Sequence, residues 1–176
     1  MKTAILAAVA AVSVAVPAYA QEAGSFAGPH AEVLAGYDSL DTNSGAGTPD
    51  GFLYGLGLGY DFQAGSIVYG VEAEVSDSTT ERTIAGVKLE SDRDLYAGAR
   101  LGYAMGDTAL LYAKVGYTNA RIDVDGDGSN GDGIRAGAGL DYKLGANLFL
   151  RGEYRYSNYE ADVERHQVLG GVGIRF

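Results

Sequence analysis

The most constraining feature of this chain is a two-residue alternation that returns in eight separate segments. In the stretch GFLYGLGLGYDF, residues 51–62, a bulky apolar or aromatic side chain occupies every second position from Phe52 to Phe62. The positions between them are glycine except for Leu53 and Asp61. Successive side chains of a β-strand point to opposite faces, so this spacing predicts a strand with one apolar face and one nearly bare face.

The same alternation predicts seven further strands, over residues 30–38, 67–76, 94–103, 111–118, 134–142, 148–157 and 167–176. The connections after the second, fourth and sixth strands are tight. Those after the first, third, fifth and seventh strands are longer and polar, over residues 39–50, 77–91, 119–132 and 158–164. Long and short connections therefore lie at opposite ends of an antiparallel meander, whose strands of about ten residues have the length of a tilted membrane strand.

Two all-β architectures fit this alternation. In a soluble barrel the apolar positions face the interior, whereas in a membrane barrel they face lipid and the polar positions fill the lumen. Aromatic residues on the apolar positions gather near both strand ends, as expected for two membrane–water interfaces. The predicted bands are Tyr60, Phe62, Tyr69, Tyr103, Tyr142 and Phe176 at the end with short turns, and Tyr37, Tyr54, Tyr117, Tyr154 and Tyr156 at the other.

Side-chain volume also favours the membrane barrel. The apolar side chains are too many and too large for the narrow interior of an eight-stranded barrel, and glycine on a solvated face would only weaken the strands. We therefore predict an all-β fold, an eight-stranded antiparallel up-and-down transmembrane β-barrel, over residues 21–176. A soluble periplasmic binding barrel is the less favoured alternative.

The first part of the chain, residues 1–20, has the pattern of a secretory signal peptide. Lys2 precedes an apolar stretch at residues 4–16, which is shorter than the roughly 20 residues of a membrane helix. Small residues then mark a cleavage site between Ala20 and Gln21. Export and the strand pattern together predict the outer membrane of a Gram-negative bacterium.

Composition excludes several classes of function. The chain has no cysteine, so it forms no disulfide and no thiolate metal site. Its formal net charge of −10 argues against nucleic acid as a partner.

Charged residues on the inward positions are predicted to pair across the lumen, because an unpaired buried charge costs several kcal/mol. We interpret them as a network that fills the lumen, and the alternative is a charged constriction of a small-solute porin that selects ions. The predicted members are Glu32, Glu72, Glu74, Arg100, Lys114, Arg135, Asp141, Arg151, Glu153, Arg155 and Arg165.

The acidic stretch DVDGDGSNGD, residues 123–132, resembles part of a calcium loop. Asp123, Asp125 and Asp127 are spaced like the first ligands of an EF-hand, but Ile134 stands where the bidentate Glu is required. We therefore expect an acidic surface loop, with weak divalent-cation binding as the alternative.

The two histidines do not indicate a catalytic site. His30 and His166 begin strands at opposite ends of the predicted barrel, so they cannot act together. We therefore expect no catalytic residues, no cofactor and no enzyme activity. His166, on an outward position, is predicted to lie among lipopolysaccharide headgroups.

The chain ends on VLGGVGIRF, an alternating strand closing on Phe176, which resembles the C-terminal signal recognised by the barrel-assembly machinery. With its strand count, loop asymmetry and aromatic bands, the chain resembles the small outer-membrane β-barrel family, of the opacity-porin-like and OmpA/OmpX-like kind. The resemblance implies a structural, surface-exposed role in the cell envelope, contact with outer-membrane lipid and lipopolysaccharide, and adhesion to host or surface ligands through the loops.

Overall fold

The computed structural model of the protein describes residues 25–41, 50–78, 81–84, 87–124, 127–159 and 163–176. These residues form nine strands: β1 Gly28–Asp41, β2 Asp50–Ala64, β3 Ile67–Ser78, β4 Glu81–Ile84, β5 Val87–Met105, β6 Ala109–Val124, β7 Asp127–Lys143, β8 Leu148–Tyr159 and β9 Val163–Arg175. No helix within these ranges is long and apolar enough to cross a membrane. The predicted signal peptide and its cleavage site lie outside the described residues.

Eight of the strands close into a barrel. Each pairs antiparallel with its neighbours in the order β3-β2-β1-β9-β8-β7-β6-β5, and a further pairing of β3 with β5, from Ile67↔Tyr103 to Ser76↔Asp94, completes the ring. The short strand β4 pairs with the beginning of β5 outside the ring. Closure satisfies the backbone hydrogen bonds that lipid cannot satisfy. The predicted eight-stranded antiparallel barrel is therefore confirmed.

The tight turns lie at one end of the barrel, as predicted. The β2–β3 turn contains Gly65 with φ 62°, and the β5–β6 turn contains Gly106 with φ 69°. These are left-handed backbone conformations that glycine adopts without a steric penalty. At this end, the Ala104 amide, just before the β5–β6 turn, donates to the Ser66 carbonyl of the β2–β3 turn at 2.8 Å. This hydrogen bond joins the two turns.

At the other end, the strands are longer than predicted. β6 and β7 remain paired from Asn119↔Asp132 to Val124↔Asp127, so the prediction of a loop over residues 119–132 is wrong for the described part of that range. β4 and the start of β5 likewise form strands where a loop over residues 77–91 was predicted. Pairing continues the register of the barrel strands, and this tertiary context overrides the turn-like local composition.

Side chains alternate between the two faces of the wall in the predicted sense. Leu58 is 66% exposed and Val71 60% exposed on the outside, whereas Glu74 is 7% exposed and Arg155 is fully buried inside. Among the described residues, buried aliphatic and aromatic side chains form two small clusters, one of Phe26, Val68, Ala104 and Leu110 and one of Leu34, Leu53 and Leu169, beside the single buried rings of Tyr96, Tyr112 and Phe149. The lumen is therefore mainly polar and the outer wall mainly apolar.

Candidate functional site: the charged lumen

The structure places all eleven charged residues that were predicted to face the lumen inside the barrel, and none is more than 7% exposed. Four further charged residues that were not in the predicted set join them: Asp38, Asp61, Asp94 and Arg175. Among the described residues, the interior therefore holds eight buried acids and seven buried bases of the Lys and Arg type. We call these fifteen residues the lumen network.

Arg151 on β8 is the centre of the part nearest the short turns. Its guanidinium donates to Asp141 through two nitrogens, with Nε to Oδ1 at 2.7 Å and Nη2 to Oδ2 at 2.9 Å. Its third nitrogen, Nη1, donates to Glu32 on β1. Bidentate guanidinium–carboxylate pairing is stronger and more directional than a single charged contact. Arg151 therefore links β8 to β7 and to β1.

Arg100 and Arg175 share a second acid in the same layer. Arg100 on β5 lies 2.9 Å through Nε from Oδ1 of Asp61 on β2, and its Nη2 lies 3.1 Å from Oδ2 of Asp141. Arg175 on β9 donates through Nη1 to Oδ2 of Asp61 at 2.7 Å. Two acids are thus surrounded by three guanidinium groups.

The middle layer crosses the full width of the barrel. Lys114 Nζ lies 2.7 Å from carboxylate oxygens of both Glu72 and Glu153. Arg155 on β8 donates through two nitrogens to Glu74 on β3, at 2.5 and 2.6 Å, and through Nε to Glu153. Since β3 and β8 lie opposite each other in the strand order, the Arg155–Glu74 pair spans the lumen.

The outer layer is built around Asp94. Thr118 Oγ1 donates to Asp94 Oδ1 at 2.6 Å, and Arg135 donates to its Oδ2. Arg165 Nη1 lies 3.3 Å from the same oxygen, while its other nitrogens hold Asp38. This layer joins the ends of the strands that face away from the short turns.

Two inward tyrosines, which sequence reasoning did not single out, pack against the cations of the lumen network. The Tyr112 ring lies 4.7 Å from the guanidinium of Arg100 and 4.9 Å from that of Arg151, and its hydroxyl donates to Glu153. Tyr96 lies in the same way between Lys114 and Arg135, at 4.8 and 5.4 Å. Cation–π contacts of this kind are attractive when desolvated, and the inward parity of both tyrosines was the signal that could have found them.

Glycine on the inward face makes room for these long side chains. A Cβ added to Gly139 would lie 2.5 Å from Oη and 2.7 Å from Cζ of Tyr112. A Cβ added to Gly57 would lie 2.7 Å from Oε1 of Glu32. The nearly bare faces seen in the sequence are therefore the surfaces over which charged and aromatic side chains of neighbouring strands lie.

Phe26, just before β1, covers the end of the lumen near the short turns. Its side chain is fully buried, its amide donates to Gln63 Oε1 at 2.8 Å, and its carbonyl accepts from Arg175 Nη1 at 2.5 Å. Lys143 Nζ donates to the adjacent Ser25 carbonyl at 3.0 Å. This short segment has no alternation, and sequence reasoning missed it.

The predicted aromatic bands lie on the outer wall. Ten of the eleven residues are between 39% and 69% exposed, and Tyr156 is half-buried. His166 belongs to the band away from the short turns, where its Nδ1 lies 2.7 Å from the Tyr154 hydroxyl and its ring centroid 5.2 Å from that of Tyr156. His30 instead faces the lumen at the opposite end, with Nδ1 3.4 Å from Asp61.

The acidic stretch at residues 123–132 is not a calcium loop in its backbone. Asp123 pairs with Gly128 and Val124 with Asp127 on two antiparallel strands, whereas an EF-hand needs one continuous loop. The side chains of Asp123, Asp125 and Asp127 lie outside the described ones. Among those that are described, no three His, Asp or Glu residues are grouped to hold a metal ion.

The comparisons with known proteins agree with this geometry. Residues 4–176 match the family described as "Outer membrane protein beta-barrel domain". The chain belongs to this family. This outer-membrane barrel is 29% identical over 159 residues to the 25 kDa outer-membrane immunogenic protein of Brucella ovis. The aligned region covers 86% of this chain and 79% of the relative. It is also 29% identical over 160 residues to the 22 kDa outer membrane protein of Rhizobium leguminosarum bv. viciae, and that alignment covers 76% of this chain and 72% of the relative.

Solved outer-membrane barrels share the fold. Neisserial surface protein A superposes with a TM-score of 0.60 at 18% identity, covering 84% of this barrel and 97% of that chain. Ail, the attachment invasion locus protein of Yersinia pestis, in complex with the heparin analogue sucrose octasulfate, superposes with a TM-score of 0.61 at 18% identity, covering 85% and 99%. The predicted location in the outer membrane of a Gram-negative bacterium is confirmed.

Proposed function

We propose that this outer-membrane barrel is a structural, surface-exposed protein of the cell envelope, without enzyme activity, whose lumen is sealed to ions by the lumen network. The observation that carries the proposal is the sharing of charges. At least six of the seven buried bases lie within 4.0 Å of two or more buried acids. An ion that entered would have to break these desolvated pairs, and breaking a buried pair costs about 3–5 kcal/mol.

The pairing of positive with negative side chains in the lumen argues against the function of a small-solute porin. A selective constriction presents rings of charged side chains to a water-filled path. Here acids and bases pair with each other within each layer, and the rings of Tyr96 and Tyr112 pack against the cations. An eight-stranded barrel is also only wide enough for its own side chains.

Planar-bilayer recording of the refolded, purified protein tests the seal. We expect no steady single-channel current from the wild type. The double variant E74Q/R155Q removes both charges of the pair that spans the lumen and shortens the side chain at position 155, so we expect rare, brief current steps from it. Large, steady currents from the wild type would overturn the sealed lumen and favour the porin.

The same proposal names three kinds of partner. The exposed apolar wall and its aromatic bands suit outer-membrane lipid, and the band that contains Tyr154, Tyr156 and His166 suits lipopolysaccharide headgroups. Phe176, 69% exposed beyond β9, suits recognition by the barrel-assembly machinery. The variant F176D is expected to lower the amount of folded, heat-modifiable protein in outer-membrane fractions, and an unchanged amount would remove this partner from the proposal.

The segments beyond the outer aromatic band are the candidate adhesive surface for host or surface ligands. Relatives in the family are named immunogenic outer-membrane proteins, which supports exposure at the cell surface. We expect trypsin added to intact cells to cleave this chain at Arg82 or Arg121, and full protection from the protease would contradict surface exposure.

A further inference from the structure

Four strand segments continue beyond the outer aromatic band and pair with one another. β4, Glu81–Ile84, pairs with residues 87–90 of β5. Residues 89–91 of β5 pair with residues 122–124 of β6, and residues 119–124 of β6 pair with residues 127–132 of β7. We call this four-stranded extension of the barrel wall the projecting sheet.

The projecting sheet has an open edge along β7. The described pairing of β7 with β8 extends to Gly133↔Tyr159, where Tyr159 in turn pairs with Val163 of β9. On the side away from β6, no described residue pairs with residues 127–132. A strand at a sheet edge presents a row of unpaired N–H and C=O groups, which is a template for another extended chain.

The protection that this edge carries is acidic only. Natural edges are blunted by short strands, by charged side chains such as lysine, by proline or by a bulge that twists the strand away, and the charges of this edge, Asp127 and Asp132, repel acidic strands but not basic ones. The edge sequence DGSNGD contains neither lysine nor proline, and its pairing with β6 runs without a shift from Asn119↔Asp132 to Val124↔Asp127. Positions 128 and 131 of this edge are glycine, which has no side chain.

From these observations we propose that the β7 edge, residues 127–132, binds an extended basic peptide segment by strand addition, with the peptide becoming a fifth strand of the projecting sheet. Main-chain hydrogen bonds supply the affinity in this mode of recognition, and side chains supply the selectivity.

Charge determines which peptides suit the edge. The edge carries Asp127 and Asp132 and no base, and the four long connections predicted from the sequence, residues 39–50, 77–91, 119–132 and 158–164, hold twelve acids and three bases. Hydrogen bonds from Tyr117 and Asn119 hold the pKa of the Asp132 carboxyl below its usual range, so that it stays charged. A basic strand is therefore attracted, whereas a sulfated polyanion such as the ligand in the Ail structure is repelled.

The test uses the full chain in lipid nanodiscs and two synthetic probes. The first probe is a fluorescein-labelled ten-residue peptide of alternating lysine and threonine. The second has the same sequence with N-methyl groups on its two central residues, which blocks both of its edges because neighbouring residues point their N–H groups to opposite sides. Fluorescence anisotropy measures both affinities, and amide NMR measures protection from exchange in β7.

We expect the N-methylated probe to bind at least about tenfold more weakly, and the unmodified probe to protect amides within residues 127–132. The charge-reversal variant D127K/D132K is expected to weaken binding at least about tenfold, while T83P on the opposite edge leaves it unchanged. Equal binding of the two probes would overturn strand addition, and protection of the β4 edge instead would overturn the site. Conductance plays no part in this readout, so its outcome is independent of the sealed lumen.

Discussion

Replacing Arg151 with methionine is the sharpest test of the lumen network. Methionine keeps much of the side-chain length but removes a guanidinium that holds Asp141 through two nitrogens and Glu32 through the third. Asp141 retains Arg100 at 3.1 Å and Arg175 at 3.9 Å. Among the described residues, Glu32 has no other cation within ion-pair distance, so the variant leaves this carboxylate buried without a partner.

The expected cost follows from that difference. Breaking a buried pair by removing one partner costs about 3–5 kcal/mol, and the remaining partners of Asp141 place this variant near the lower limit. We expect the free energy of unfolding of R151M to fall by about 3 kcal/mol, which is about a 150-fold change in the unfolding equilibrium. Adding E32Q removes the unpaired charge, so the double variant R151M/E32Q is expected to recover part of the loss.

Urea titration in lipid vesicles, followed by tyrosine fluorescence and by heat-modifiable gel mobility, measures these changes. R93M is the matched control, because Arg93 is exposed and a surface substitution changes stability by no more than about 0.5 kcal/mol. If R151M were as stable as R93M, or if E32Q destabilised R151M further, the charge compensation argued for the lumen would be wrong.

Three further substitutions test other parts of the barrel, with the same urea titration as readout. L58R places a charge on the outer wall at a position whose side chain is 66% exposed and is expected to cost about 2–4 kcal/mol in vesicles; L58M should be nearly neutral. G139A brings a Cβ within 2.5 Å of the Tyr112 hydroxyl, so a loss of about 1–3 kcal/mol is expected, and adding Y112F should not restore it because the ring carbon stays at 2.7 Å. F26A empties the closed end of the lumen and is expected to cost about 3 kcal/mol, with faster exchange of the neighbouring amides by NMR; unchanged exchange would contradict that closure.

The sequence predicted the wall of the barrel better than its ends. Two-residue alternation decides which face each side chain takes, and it placed residues such as Glu74 and Leu58 on the correct sides. It said less about where strands stop. The DGSNGD stretch has the composition of a turn, yet residues 127–132 are a strand because β6 offers a partner in register. Pairing between distant residues is not visible in local composition.

The residues that were missed lie near the ends of the predicted strands or outside them. Asp38, Asp61, Asp94 and Arg175 occupy inward positions at or near strand ends, where the alternation gave their side but not their partners, and they were left out of the predicted network. Phe26 lies before β1 and has no periodic neighbours. Its position depends on hydrogen bonds to Gln63 and Arg175, which come from strands far away in the chain.

The contacts that cross the lumen also have a mechanical consequence. Arg155 and Glu74 join opposite walls, and so do Arg165 on β9 and Asp94 on β5. These ion pairs resist flattening of the barrel, because an elliptical cross-section would lengthen the distance between at least one pair of opposite strands and break its ion pair. Under lateral tension in the bilayer, we expect the barrel to keep its circular cross-section. The surrounding lipid then deforms in place of the protein.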